Sequence, residues 1–226
     1  MGESSKVIDL FTRRDGRIPV AVKGAYLPRS PYVSTTHVLT EIQGRLRPGR
    51  TFDYLASATP RLQPTALRQD YQALIYGSLL AEVVSKCLHE YQSAPQIFDV
   101  LEKALETMND RPHLAAEIAV ATVVKLTCFL GFRPQVKDCV ICKAQEATFF
   151  YDPVAGGLVC ANCRRSASEE ATRDDIELLN DFLYTKFDQL KEEREKTTLR
   201  RVLSWMIKTL SIHLDLGPIR SLALLP

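Results

Sequence analysis

The sequence predicts an α+β protein: a small N-terminal β-barrel or sheet, then a mainly α-helical body with a cysteine-rich module inserted between its helices. Three observations carry that prediction. The hydrophobic period changes from two residues to about 3.6 at Thr65. Two Cys-x-x-Cys pairs, Cys139/Cys142 and Cys160/Cys163, interrupt the helical half. Lysine and arginine outnumber acids only ahead of Thr65, where ten basic side chains face five acidic ones, although the whole chain carries just +2.

Composition sets the outer limits. With 46% hydrophobic and 25% charged residues, 10 Gly and 12 Pro in 226 residues, the chain falls outside the disordered, collagen-like and low-complexity classes. Its length admits one large domain or two to three small ones. The longest apolar stretches, such as residues 115–124, are interrupted by Glu117 or closed by Lys125 before the ~20 residues of a bilayer span. The first six residues, Met1 to Lys6, show no basic segment leading into an apolar run, so a cytoplasmic location without a secretory signal is expected.

Residues 1–64 read as strands. Val7-Ile8-Asp9-Leu10-Phe11 and residues 18–23 flank the turn-forming Arg13-Arg14-Asp15-Gly16, which predicts a hairpin. After the Pro-rich 28–31, two β-prone runs, 36–43 and 51–57, are joined through residues 44–49 as a second hairpin. Arg45, Arg47 and Arg50 then surround Pro48-Gly49 as a basic, mobile tip. A basic excess confined to one module is the pattern of a polyanion-binding unit on a neutral body, and equally of a solvated arginine-rich surface.

Residues 65–135 and 167–226 read as two parts of one helical domain. The first helix, with Thr65 as N-cap, carries Leu67, Tyr71, Leu74, Ile75, Ser78, Leu79, Glu82, Val83 and Leu88 on one face. A second runs over 95–108 through Ile97, Phe98, Leu101, Ala104 and Leu105. The third, 112–130, is apolar nearly all round and ends at Gly131, which marks the central buried helix. Residues 168–196 and 198–214 supply two more, with apolar positions that include Ile176, Leu179, Phe182, Leu183, Phe187 and Leu190, then Val202, Met206 and Leu210. The charge run 191–196 reads as a solvated helix end.

Residues 136–166 form the inserted module. Seventeen residues separate the two cysteine pairs, and each Cys-x-x-Cys turn can present two thiolates to one ion at ~2.3 Å. Cys139, Cys142, Cys160 and Cys163 are therefore the expected ligands of one structural Zn²⁺. Four thiolates leave no open coordination position, and no Glu or His adjoins the knuckles as a base, so catalysis at the metal is not expected. Residues 147–151 and 156–159 flank Asp152-Pro153 as the hairpin between the knuckles. The other two of the six cysteines, Cys87 and Cys128, sit in apolar helices and read as small core residues. The helical core is expected to stand without the insertion.

No phosphate-binding glycine loop, His-Glu-x-x-His pair or Gly-x-Ser-x-Gly elbow is present. The histidines at 37, 89, 113 and 213 are scattered, so the chain is not expected to be an enzyme.

The order of these pieces resembles the bacterial RecO family of recombination mediators. The resemblance rests on residues 7–30, on the cysteine module with Gly156-Gly157 before its second knuckle, and on His213-Leu214-Asp215-Leu216-Gly217-Pro218 with the following Ile219 to Leu222. It implies an N-terminal OB-fold-like barrel that binds single- and double-stranded DNA. It also implies annealing of complementary strands, binding to the acidic C-terminal tail of single-stranded DNA-binding protein (SSB), and action with RecR to help RecA onto SSB-coated DNA near the nucleoid. The family's basic positions correspond here to Arg17, Lys23 and Arg29, while Tyr26-Leu27 stands where more basic residues are usual. With the local charge clusters, the candidate nucleic-acid contacts are Arg13, Arg14, Arg17, Lys23, Arg29, Arg45, Arg47 and Arg50. Of Phe11, Tyr26, Tyr32, Phe52 and Tyr54, the stacking platforms are read as Tyr26 and Tyr32.

Relative to that family, the segment beginning at Gly2 lacks an apolar first strand of about ten residues, so the barrel is expected to lack a strand and to expose two edges. A truncated or short start is expected, or a gap filled by a partner chain, by residues 219–226 or by a rearranged sheet. Two other functions fit the same residues: an RNA-binding or ribosome-associated zinc-ribbon protein, and a protein-interaction scaffold.

Overall fold

The computed structural model describes residues 4–146, 148–191 and 194–225. Expectations that fall on residues 1–3, on Ala147, on Pro226 and on Glu192-Glu193 of the charge run lie outside the described residues.

Strands β1 (Lys6–Thr12) and β2 (Gly16–Val22) form the first hairpin, with Leu10 opposite Ile18 and Thr12 opposite Gly16. Gly16 is required twice over: its φ is +71°, and a Cβ there would come 1.9 Å from the Gln92 carbonyl oxygen. Strand β3 (Glu41–Arg47) pairs antiparallel with β4 (Asp53–Leu62), and β2 joins β4 in parallel, so the sheet order is β1-β2-β4-β3. The expected strand over 36–43 is displaced. Thr35 and Thr36 turn their hydroxyls onto the Tyr32 carbonyl, and Leu39 has φ 67°, so this β-branched run is a turn. Arg45 and Arg47 consequently lie on β3 rather than in a mobile tip.

The sheet is open. Its small core gathers Ile18, Val20, Val22, Ala25 and Leu55, while Ile8, Leu10, Ile42 and Leu46 are only partly covered. Edge strands β1 and β3 border a cleft of about 850 Å³, lined by Leu10, Phe11, Ile42 and Leu46 from the sheet and by Phe98 and Leu101 from the helices. Among the described residues this sheet has four strands, with β1 and β3 at its edges.

The body is built around α4 (Ala115–Phe129), which packs against α2 (Tyr71–Cys87), α3 (Pro95–Asp110), α5 (Arg173–Tyr184) and α6 (Lys196–Leu214). Residues Pro112–Phe129, with mean hydropathy 1.3, are long and apolar enough to be weighed as a membrane span, but 67% of that stretch is buried within the protein. It is the central core helix that its all-round apolar character predicts.

Two helix boundaries differ from expectation. Thr65 does not cap the first long helix; it opens the short α1 (Thr65–Gln69), and the chain breaks at Asp70, whose carboxylate accepts a 2.8 Å hydrogen bond from the Ala73 N–H to start α2. That break rotates the buried face, leaving Tyr71 70% exposed and Leu74 at the surface. Residues 168–196 are not one helix either: the helix ends at Tyr184, and of the charge run read as a helix end Lys191, Arg194 and Glu195 lie in no helix while Lys196 opens the next one. Glu169–Ala171 is a strand, β7, and a reciprocal Thr172/Asp175 capping box delays α5 to Arg173.

The C-terminal single-turn helix Arg220–Leu224 is clipped to α2 by Glu82, whose carboxylate accepts from the N–H groups of Arg220 and Ser221, both at 2.8 Å, and from the Ser221 hydroxyl at 2.5 Å. Burial alone would raise the Glu82 pKa, but these hydrogen bonds hold it below its ordinary value. The clip therefore stabilises the fold fully above the unfolded-chain carboxylate value of ~4.3 and loses that contribution as pH falls through the lower folded value. Glu82→Gln should reduce thermal stability at neutral pH and flatten its acid limb, as measured by melting temperature from roughly pH 7 to pH 3.

Candidate metal centre and nucleic-acid interface

The ribbon is a three-stranded sheet in which β5 (Phe149–Asp152) lies between β6 (Gly157–Cys160) and β7. Gly156 turns the hairpin at φ +70°, and Gly157 lets the Gln135 backbone pass, since a Cβ there would come 2.5 Å from the Gln135 oxygen. That passing segment is stitched to β6 by Gln135 N–H to the Gly156 carbonyl at 3.1 Å, Leu158 N–H to Gln135 at 2.9 Å and Val140 N–H to Leu158 at 2.8 Å. The first knuckle is thereby laid against the second.

All four predicted cysteines meet. Their Sγ atoms lie within 4.8 Å of one another, and Cys142 and Cys160 approach to 3.7 Å. For metal–sulfur bonds of ~2.3 Å the edge of a tetrahedron is about 3.8 Å, so the cluster fits one tetrahedral ion with four soft donors. Burial opposes ionisation of Cys139, but the N–H groups of Cys142, Cys160 and Ile141 outweigh it and hold that thiol down at about 6. Cys163 is pushed up to about 12, chiefly by sharing a proton with Cys142 and by burial. Four thiolates so close repel one another unless a cation sits among them. Cys87 stands apart: burial pushes its thiol up to about 12, which suits a small neutral core residue.

The ribbon does not hang from the body as a separable insertion. Tyr151 and Leu158 belong to the same buried cluster as α4 and α6, against the expectation of an independent helical core. The Tyr151 ring stacks on Trp205 at 4.7 Å and 8°, and its hydroxyl shares a 2.9 Å hydrogen bond with Thr209. Trp205 in turn donates to Glu169 of β7 at 3.3 Å. Metal loss should therefore weaken the body as well. Cys160→Ser is expected to drop bound metal from about one ion per chain to near none by elemental analysis, and to lower the melting temperature of the whole protein.

The eight predicted basic contacts divide into two groups. Arg17 is turned inward: it donates to the Ser85 carbonyl at 2.8 Å and hydroxyl at 3.0 Å, and lies 3.6 Å from Asp9 and 3.8 Å from Glu90. Arg13 reaches Asp99 of α3 at 3.1 Å. Both tie the sheet to the helices, as does Arg61, between Glu41 at 2.7 Å and Glu102 at 2.9 Å. Sequence reasoning passed over Arg61, whose one signal was its place at the sheet–helix junction. Arg14, Lys23, Arg29, Arg45, Arg47 and Arg50 are exposed, and among the described residues none of these six has an acidic partner within 4 Å.

Three of them share one surface. Arg47 lies opposite Tyr54 in the β3–β4 register, Ala21 lies beside Tyr54 on β2, and Lys23, two residues on, places its ammonium 4.2 Å from the Tyr54 ring centroid. Arg50 follows in the connecting turn. Of the predicted stacking residues, Tyr26 is 66% exposed, while Tyr32 is half-buried and donates to the Ala56 carbonyl at 3.0 Å, which makes it a support of the sheet.

An open basic sheet tied by arginines to a helical body, with a four-thiol ribbon packed on that same body, defines the structural class of this protein. The chain belongs to the RecO family of DNA repair proteins: the family model for the recombination protein O N-terminal region matches residues 1–62, and that for the C-terminal region matches residues 68–223. Among similar proteins named DNA repair protein RecO, that of Thermoanaerobacter sp. (strain X514) is 23% identical over 220 residues, covering 96% of this chain and 88% of the relative. The Exiguobacterium sibiricum protein is 30% identical over 173 residues (73% of this chain, 66% of the relative). The Bacillus subtilis protein is 25% identical over 169 residues, covering 72% and 63%.

Proposed function

We propose that this chain is a recombination mediator that binds single- and double-stranded DNA without sequence preference, anneals complementary strands, and with RecR assists RecA onto DNA coated with SSB. The observation that carries the reading is the set of exposed cations without acidic partners on the outer side of the sheet, above all Lys23, Arg45, Arg47 and Arg50, in a chain of the RecO family. Each cation that meets a phosphate releases condensed counterions, a gain that ignores base sequence. Two strands neutralised on one basic surface repel each other less, which favours pairing. None of this needs a covalent step.

The remaining parts follow from the same assignment. Cys139, Cys142, Cys160 and Cys163 hold a structural zinc ion that keeps the ribbon seated on α6. The helical body takes the C-terminal tail of SSB, and the protein works in the cytoplasm at the nucleoid. Arg17 and Arg13 act as struts, and Arg14 and Arg29 supply outlying charge.

Annealing of two complementary oligonucleotides coated with SSB, followed with and without the chain, tests the reading; acceleration by the chain is expected. Equal affinity for single-stranded DNA and RNA without annealing would assign the protein to RNA binding instead, and binding indifferent to about 0.5 M salt would make it a protein scaffold. Reversing Arg47 and Arg50 to Glu should weaken DNA binding for every sequence and flatten the log–log salt dependence by about two units, one per lost phosphate contact. Arg17→Gln should instead lower the melting temperature and leave that slope unchanged.

A further inference from the structure

Tyr54 is half-buried and lies outside the small core that holds Val20, Leu46 and Leu55. In β4 the neighbouring Leu55 points into the small core with Leu46 and Val20, so strand alternation sets Tyr54 on the opposite, outer face, beside Arg47 across the β3–β4 pair. Lys23 lies over its ring at 4.2 Å from the centroid. The connecting turn closes on the ring as well: a Cβ on Gly49 would come 2.5 Å from Tyr54 Cε2 and 2.0 Å from the Phe52 carbonyl oxygen. Glycine at 49 therefore lets the backbone between Arg47 and Arg50 rest against the tyrosine. The phenol hydroxyl has no hydrogen-bond partner among the described residues.

The geometry points to Tyr54 as a stacking platform for one unpaired base, with Lys23 as a removable cover and Arg47 and Arg50 as clamps for the flanking phosphates. The inference rests on the DNA-binding reading above and deepens it by naming the residue that tells single strand from duplex. A nucleobase presents a larger polarisable face to the ring than an ammonium does. When the base takes the ring, Lys23 needs only side-chain rotation to carry its charge to the adjacent phosphate, so the cation is retained in the complex. A duplex keeps its bases stacked on each other and offers the platform nothing, so it engages the arginines alone.

The test compares binding of the full chain to a fluorescent oligothymidylate and to a duplex of mixed sequence, by anisotropy at fixed salt. Tyr54→Leu is expected to lower single-strand affinity roughly five- to hundred-fold and leave duplex affinity within about twofold. Tyr54→Phe, which keeps the ring and loses only the unpartnered hydroxyl, should bind both like the parent protein. Lys23→Gln should reduce the single-strand salt slope by about 0.7, as expected for one lost phosphate contact. If the parent chain binds both nucleic acids but Tyr54→Leu weakens neither, or weakens both by the same factor, Tyr54 is not a base platform. If Tyr54→Phe loses as much as Tyr54→Leu, the ring face is not what is recognised. Failure of the parent chain to bind either nucleic acid would overturn the DNA-binding reading itself. Melting curves of the variants separate these outcomes from misfolding.

Discussion

A helix with no polar face has to be covered on every side, and α4 is such a helix. Ile118, Ala119, Val120, Ala121, Val123, Val124 and Leu126 are all buried, so no single neighbour can satisfy it. Four helices close most of the circumference. The β-ribbon reaches the same core through Tyr151, stacked on Trp205 of α6, and through Leu158. The four-cysteine cluster lies at the far end of those two strands. Holding the knuckles together therefore also holds in place side chains that the helical core needs, so this small cluster shares in the stability of the whole body.

Electrostatics divides the N-terminal module in a similar way. Arg13, Arg17 and Arg61 meet acids or carbonyl groups at the junction with the helices, and for Arg17 partial burial strengthens the contact. Among the described residues, the cations left on the outer face and turn have no such partners and are open to an external anion. Division of labour among like residues thus orients the module: one set of arginines docks it, and the other faces away from the dock.

Much of this was legible in the sequence. The cysteine spacing located the four thiols that meet because a four-thiol cluster tolerates few arrangements, and the all-round apolar run located α4 because a buried helix has no other signature. The first hairpin was legible from Arg13-Arg14-Asp15-Gly16. Where reading failed, a local hydrogen bond had overridden periodicity. The side chains of Thr35 and Thr36 bend a run rich in β-branched residues into a turn, Asp70 restarts a helix that the apolar pattern carries straight through, and Thr172 with Asp175 postpones another. The roles of the arginines were not legible at all. Nothing in the letters distinguishes Arg17 from Arg47; only the fold places Ser85 beside one and open solvent beside the other.

The stacking of Tyr151 on Trp205 also gives the molecule an optical consequence. Trp205 is the only tryptophan in the chain, fully buried, and its ring lies parallel to a tyrosine carried by the ribbon itself. Its emission and its aromatic circular dichroism both depend on that neighbour, so the seating of the ribbon on the body has a signal of its own, spectrally separate from the tyrosines on the basic sheet. An event at the four cysteines that unseats the ribbon would therefore register in the emission of this one indole.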